Sequence, residues 1–125
     1  MTWAIAALLV AHGFAHLVGF VGSFALMPAK VPHATTLLGG RLDVGEGGIR
    51  AVGVLWLAAA LSFFVMATAT VLRTDWWPRA TAIVALASLA LCLTSLPEAK
   101  IGIIVNVVII VLVAVAVRAS WPLAI

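Results

Sequence analysis

The fold is decided by residues 101–118, which read IGIIVNVVIIVLVAVAVR. This segment has no charged residue before Arg118. A single α-helix needs about 20 apolar residues to cross the hydrocarbon core of a bilayer, and the segment nearly provides them. Its many Ile and Val residues would favour a strand in a soluble protein. A lone strand in lipid would leave its backbone groups unpaired, so we predict a transmembrane helix.

Three further apolar segments precede this one, and prolines separate them. Pro28 ends the first, because proline lacks the backbone donor that a helix interior needs, and Pro78 suits the first position of the third. We therefore predict an all-α, integral membrane four-helix transmembrane bundle. It forms a single domain over residues 1–125, with helices at about 3–27, 44–72, 78–96 and 101–118.

The composition of the 125-residue chain supports lipid as the surrounding solvent. Hydrophobic residues make up 66% and charged residues 9%, whereas soluble domains carry about 45–50% and about 25%. The net charge is +3, and the seven Lys and Arg are scattered, which argues against a nucleic-acid partner. Residues 1–27 contain no Lys or Arg, so we interpret them as a retained helix instead of a signal peptide.

Tryptophans and arginines predict the orientation of the bundle. An even number of crossings places the N-terminus, the second connection and the C-terminus on one side. Tryptophan favours the headgroup region, and short basic connections favour the cytoplasm. We therefore expect a cell-membrane protein with both termini cytoplasmic. The residues that carry this prediction are Trp3, Trp76, Trp77, Trp121, Arg73, Arg79 and Arg118.

Two histidines in the first helix are the most informative polar residues. His12 and His16 are four positions apart and share a face that continues through Gly19 and Ser23. This small and polar face should point into the bundle. Because an ionisable side chain inside a membrane is costly, it suggests a functional site. The alternative is a structural histidine that hydrogen-bonds to a neighbouring helix.

Further polar residues are predicted at the same membrane depth or nearer the side opposite the tryptophans. Glu46 and Arg50 share a face of the second helix, Glu98 lies in the third connection, and Asn106 lies just inside the fourth helix. Glu46 and Arg50 can alternatively form an ordinary ion pair at a helix start, or Arg50 can extend to the headgroups. Together with His16, these residues predict a pocket open toward that side.

The first functional hypothesis is an intramembrane enzyme that acts on a lipophilic small molecule without a cofactor. His16 would be the acid/base, because imidazole titrates near neutral pH, with Glu46 or Glu98 as its carboxylate partner. Arg50, Asn106 and His12 would hold a substrate oxygen. This set suits isomerisation, cyclisation or epoxide opening, which are isomerase or hydrolase activities.

The stretch from Ala11 to Phe20, AHGFAHLVGF, resembles the first helix of the DoxX-like membrane proteins. That helix often carries a His-Gly-x-x-Lys-Leu-x-Gly-Phe pattern, in which His16 here takes the lysine position. The resemblance implies a four-helix protein of similar length. It also implies a second hypothesis, a non-catalytic accessory or quinone-interacting subunit of a membrane redox complex.

Two other functions, a transporter and a metal site, are supported by only some of the polar residues. A small transporter could be built as a homo-oligomer with Glu46 or His16 along its path, although the two halves show no inverted repeat. His12 and His16 have the spacing of a helical metal pair, but Gly13 stands where the His-Glu-x-x-His signature has its glutamate. We therefore predict neither a metal site nor a cofactor, with membrane lipid as the surrounding partner.

Overall fold

The computed structural model describes residues 2–26, 34–96 and 99–119. They form four α-helices, and each is long and apolar enough to cross a bilayer. The predicted all-α four-helix bundle is confirmed, and these spans indicate a small multi-pass membrane protein. The helices are α1 (Thr2–Ser23), α2 (Gly45–Val71), α3 (Trp77–Thr94) and α4 (Lys100–Arg118).

The observed helix ends agree with the predicted ones within two residues, except at the end of α1. That helix ends at Ser23, where the sequence predicted a helix to about residue 27, and Ala25 has a positive φ of 56°. A residue in the left-handed region closes a helix, because it turns the backbone away from the helix axis. The first helix is therefore shorter than its apolar segment.

The bundle consists of two helix pairs, because α1 packs mainly along α2 and α3 mainly along α4. Glycines bring α1 and α2 close together. A Cβ atom placed on Gly13 would lie 3.1 Å from the carbonyl oxygen of Ala60, and one on Gly53 would lie 2.6 Å from Cβ of Ser23. Small residues at such contacts are a common means of helix association in membranes, where packing replaces the hydrophobic effect.

A dry core fills the part of the bundle nearer the α2–α3 turn. Here side chains from all four helices are buried together without polar partners. Close packing of this kind holds the helices in one arrangement. The largest members of this dry core are Ile5, Leu9, Phe63, Met66, Trp77 and Ile109.

A short β-hairpin precedes α2, with β1 (Thr36–Leu37) antiparallel to β2 (Leu42–Asp43). Leu38, Gly39 and Gly40 at its turn have positive φ angles of 55°, 66° and 89°. Glycine adopts such angles without strain, whereas leucine does so at a cost of about 1–3 kcal/mol. The backbone N–H of Leu38 donates to the carbonyl oxygen of Thr94 at 2.8 Å, and this bond holds the hairpin against the end of α3.

Asp43 joins the hairpin to α2. Its carboxylate accepts hydrogen bonds from the backbone N–H of Gly45 and from the hydroxyl of Thr35, each at 2.9 Å. These bonds lower the pKa of this exposed carboxyl below its usual value, and the Gly45 bond contributes more than the Thr35 bond. Both bonds favour the charged form of the side chain.

The predicted tryptophan belt is wrong at one of its four positions. Trp3 and Trp76 are exposed, as a belt requires, but Trp77 is fully buried. Neighbouring residues of a helix point in directions about 100° apart, so Trp76 and Trp77 cannot both face outward. Trp77 lies on the inner face of α3, and Trp121 lies outside the described residues.

Candidate functional site

The inner face of α1 carries both histidines, as the sequence predicted, and both are buried. The ring Nδ1 of His16 lies 2.9 Å from the carbonyl oxygen of His12, one turn earlier. A carbonyl oxygen only accepts, so this nitrogen carries a hydrogen and donates it. In a neutral ring the other nitrogen, Nε2, is then an acceptor. It takes the hydroxyl hydrogen of Ser88 on α3 at 2.6 Å.

Asn106 on α4 closes the arrangement. Its Nδ2 donates to the Ser88 oxygen at 2.9 Å, and its Oδ1 accepts from Nε2 of His12 at 3.1 Å. The four side chains are at most 3% exposed. They form one directional chain of hydrogen bonds that ties α1 to α3 and α4. We call His12, His16, Ser88 and Asn106 the polar network.

Helix α2 supplies an aromatic wall to the polar network. The ring of Phe63 lies 4.8 Å from the His12 ring and 5.2 Å from the His16 ring, measured between centroids. The Trp56 indole lies 5.0 Å from the His16 ring in the same edge-to-face geometry. The two imidazoles are themselves 4.4 Å apart. Such rings fix the positions of the imidazoles without offering them hydrogen-bond partners.

A cavity of about 690 Å³ adjoins the polar network. Its volume falls within the roughly 300–1,000 Å³ of typical small-molecule sites. His12, His16 and Trp56 line it within the bundle, and the turn of the hairpin lines it at the other end. Ser23 also lines it and follows His12 by eleven positions, so the cavity extends along α1 over about 16 Å.

The cavity opens sideways between α1 and α4. Its wall includes Ala11, Ala15 and Val18 of α1 and Ile101 of α4, and these residues are exposed. Helices α1 and α4 touch at fewer positions than the helices within each pair do. Exposed apolar residues of a spanning helix face lipid. This side of the cavity therefore faces the hydrocarbon interior, and the exposed hairpin residues 38–40 line the cavity at its other end.

Two polar atoms, on residues that line the cavity, have no hydrogen-bond partner among the described residues. One is Nδ1 of His12, since Nε2 of that ring is the one that Asn106 holds. The other is Nε1 of Trp56, on a residue that is 8% exposed. A neutral His12 thus presents an acceptor, and Trp56 presents a donor.

Both histidines are best described as neutral in this setting. No carboxylate in the described ranges comes within ion-pair distance of either ring. Burying a cation without a counter-charge costs several kcal/mol of free energy, and the hydrogen bonds of the polar network do not offset this cost. Across the described part of the chain there is also no cluster of three His, Cys, Asp or Glu that could hold a metal ion.

The structure brings together three of the six site residues predicted from sequence, namely His12, His16 and Asn106. Glu46 and Arg50 are exposed near the start of α2, and neither lines the cavity. The Arg50 guanidinium carbon lies 6.0 Å from the centre of the Phe24 ring, at cation–π distance. Glu98 lies outside the described residues.

Sequence reasoning missed Ser88 and Trp56. Ser88 lies in the Ala-rich third helix, where it is buried between His16 and Asn106. A signal was present, because Ser88 and Cys92 are four apart on one face and a hydroxyl in lipid needs a partner. Trp56 is the one tryptophan far from any helix end, which separates it from a headgroup anchor.

No protein-family model, curated protein or solved structure matches this chain. The resemblance of α1 to the DoxX-like proteins therefore stays a prediction. The function has to be argued from the cavity and the polar network.

Proposed function

We propose that this protein is an integral membrane enzyme that acts on a lipophilic small molecule by cofactor-independent acid/base chemistry. The observation that carries the proposal is His12, which lines the cavity and whose Nδ1 has no hydrogen-bond partner among the described residues. A general base must be able to reach the proton that it takes, and geometry decides this before pKa does. Among the described acid/base side chains, His12 meets this condition best.

The roles within the polar network follow from its hydrogen bonds. The Asn106 carbonyl oxygen holds the Nε2–H of His12, which fixes the tautomer that leaves a lone pair on Nδ1. That lone pair takes a proton from one atom of the substrate, or from a water molecule that opens an epoxide, and the negative charge left there balances the imidazolium. The imidazolium exchanges its N–H with water in part of the turnovers and gives the proton to another atom. Isomerisation, cyclisation and epoxide opening all use such a transfer.

His16 is a positioning residue in this scheme, although the sequence suggested it as the acid/base. Both of its ring nitrogens are already occupied, one by the His12 carbonyl and one by Ser88. Its ring packs edge to face against His12 and Trp56. It therefore holds the His12 side chain and the cavity wall in place.

Solvent isotopes test the proposal even while the substrate is unidentified. Membranes that contain the protein are incubated in deuterated or heavy-oxygen water, and the extracted lipophilic molecules are analysed by mass spectrometry. We expect one molecule to gain the label with the wild type, and to gain it at least about 100-fold more slowly with His12→Gln. Glutamine retains a donor for Asn106 but has no titrating group.

Trp3→Phe, at an exposed position outside the cavity, serves as the control and should label like the wild type. A molecule that occupies the cavity but never gains the label would contradict the enzyme. It would favour the second hypothesis, an accessory subunit that binds a lipophile.

We further propose the cell membrane as the location, with the α2–α3 turn and both termini in the cytoplasm. Arg73 at this turn and Arg79 in the first turn of α3 are both exposed, as positively charged cytoplasmic anchors require. A cysteine placed at Thr74 in a Cys92→Ser background should resist an impermeant thiol reagent in intact cells. Labelling from outside would show that the orientation is the opposite of the proposed one, and it would not affect the proposed site.

A further inference from the structure

The wall of the cavity is uncharged wherever it is described. No Asp, Glu, Lys or Arg is among the lining residues in the described ranges, although the protein carries such residues elsewhere. A carboxylate or phosphate drawn in beside His12 would lose its water and gain no counter-charge. That loss costs several kcal/mol in an apolar setting. The described wall of the cavity therefore disfavours binding of an ionic lipid, because it offers no counter-charge.

The inner end of the cavity is nevertheless polar. His12 Nδ1 offers an acceptor and Trp56 Nε1 offers a donor, and neither has a partner among the described residues. The two side chains are 3% and 8% exposed. Their rings both contact the His16 ring, so the two free atoms belong to one aromatic cluster. A hydroxyl group has both the donor that His12 lacks and the acceptor that Trp56 lacks, and a carbonyl or epoxide oxygen has the acceptor for Trp56.

Most of the wall along α1 suits a slender apolar body. It is formed by the small residues Ala11, Ala15, Gly19 and Gly22, and at the outer end the apolar Leu37 lies among hydroxyl side chains, namely those of Ser23, Thr36 and Ser95. A molecule that lies along α1 thus keeps its apolar part between the helices and its oxygen at mid-membrane depth. A phospholipid has the opposite arrangement, with its polar group at the surface.

From these observations we propose that the cavity selects an uncharged lipophile with a hydroxyl, carbonyl or epoxide oxygen at one end. The oxygen binds between His12 and Trp56, and the molecule enters from the bilayer through the opening between α1 and α4. This inference rests on the proposed function, because it names the class of molecule that the same cavity takes.

The indole N–H of Trp56 offers a direct measurement. The protein is labelled with nitrogen-15 in lipid nanodiscs, and the Trp56 signal is assigned by its loss in Trp56→Phe. Three probes of equal chain length are compared, namely dodecanol, dodecane and dodecanoate. We expect dodecanol to shift the Trp56 indole proton downfield and saturably, since its oxygen accepts the hydrogen bond. Dodecane and dodecanoate should leave that signal in place.

Two controls separate the cavity from general partition into lipid. The Trp3 signal, at an exposed position, should stay unchanged with all three probes. Ala15→Phe narrows the opening and should abolish the dodecanol shift. Ala58→Phe, at an exposed position of α2 outside the cavity wall, should retain it.

The failures of the two proposals are distinguishable. Equal Trp56 shifts with dodecanoate and dodecanol would overturn the selectivity for uncharged molecules and leave the proposed enzyme standing. A shift of the Trp56 signal by dodecane alone would overturn the proposed binding of an oxygen atom and would also leave the proposed enzyme standing. No perturbation by any probe, together with no isotope-labelled molecule in the solvent experiment, would overturn both.

Discussion

Ser88 and Thr81 lie on the same inner face of α3, two turns apart, and their hydroxyls have different surroundings. Ser88 donates to His16 and accepts from Asn106, beside the cavity. Thr81 is equally buried, but its oxygen has no partner among the described residues, and nor has the neighbouring indole N–H of Trp77. The bundle thus has a cavity half around the polar network and a dry half around Trp77.

The difference separates stability from function within one small bundle. In the dry half, close packing outweighs the cost of two unpartnered polar atoms, which is about 1–3 kcal/mol for each group in a soluble protein. In the cavity half, the side chains of the polar network hydrogen-bond to one another, and an open volume lies beside them. The side chains there do not fill the space between the helices, which is typical of a site that binds another molecule.

Adjacent leucines of α1 test this division with the largest expected effect. Leu9 is fully buried in the dry core, whereas Leu8 is half-buried, packs against the edge of that core and also lines the cavity. Leu9→Ala should lower the free energy of unfolding by about 2–5 kcal/mol, because it opens a new void. Leu8→Ala enlarges an existing one and should cost less than Leu9→Ala. Unfolding in mixed micelles measures both, and equal losses would contradict the division.

The two hydroxyls of α3 give the next largest effect. Ser88→Ala leaves His16 Nε2 and one hydrogen of Asn106 unpaired, so we expect a loss of about 1–3 kcal/mol. Interhelical hydrogen bonds in membranes tend toward the lower part of that range. Thr81→Val removes an unpartnered oxygen and should be neutral or slightly stabilising. If Thr81→Val were the more harmful change, the assignment of the partners would be wrong.

Substitutions of two glycines, Gly102 and Gly47, are expected to change stability by a smaller amount. A Cβ atom at Gly102 would lie 2.8 Å from the Cys92 sulfur, at the cavity wall, whereas nothing lies within 4 Å of one at Gly47. Gly102→Ala should cost about 1 kcal/mol and weaken binding of dodecanol, because Cys92 has to shift toward the cavity. Gly47→Ala should stabilise α2 by about 0.5–1 kcal/mol.

Thermal unfolding of the two glycine variants, together with the Trp56 signal, measures these effects. An unchanged dodecanol shift in Gly102→Ala would show that α4 can move away at this point. The wall of the cavity would then be less rigid than its packing indicates.

The smallest effect concerns the hairpin and pH. The pKa of Asp43 is lowered in the folded protein by the Gly45 and Thr35 bonds. The stabilisation from these bonds is complete above the unfolded pKa of the carboxyl and is lost as the pH falls through the folded pKa. The protection factor for exchange of the Gly45 amide hydrogen should therefore fall as the pH drops below the usual carboxylate range. Asp43→Asn should remove this pH dependence.

The sequence was sufficient for the helices and for one face of α1. Long apolar segments predict spans on their own, and the spacing of His12 and His16 assigned the inner face of that helix. The rotation of α3 could not be predicted, because its alanines are equally compatible with lipid and with the core. Ser88 and the burial of Trp77 both depend on that rotation.

The carboxylate partner shows a second limit of the sequence. Glu46 was predicted, with His16, between the middle of the membrane and the side opposite the tryptophans, but depth in the membrane does not determine where a side chain points. In the structure, Glu46 is exposed at the start of α2, and the imidazoles use a carbonyl, a hydroxyl and an amide instead. Those weaker groups suit neutral rings, which a sequence pattern alone does not distinguish from charged ones.

Native mass spectrometry of the protein released from its own membranes tests the central claim most directly, namely that a lipophile occupies the cavity beside His12. We expect the wild type and Ala58→Phe to retain one uncharged, oxygen-containing molecule, and Ala15→Phe to lose it. The same mass on all three proteins, or a phospholipid as the bound species in the wild type, would contradict the account.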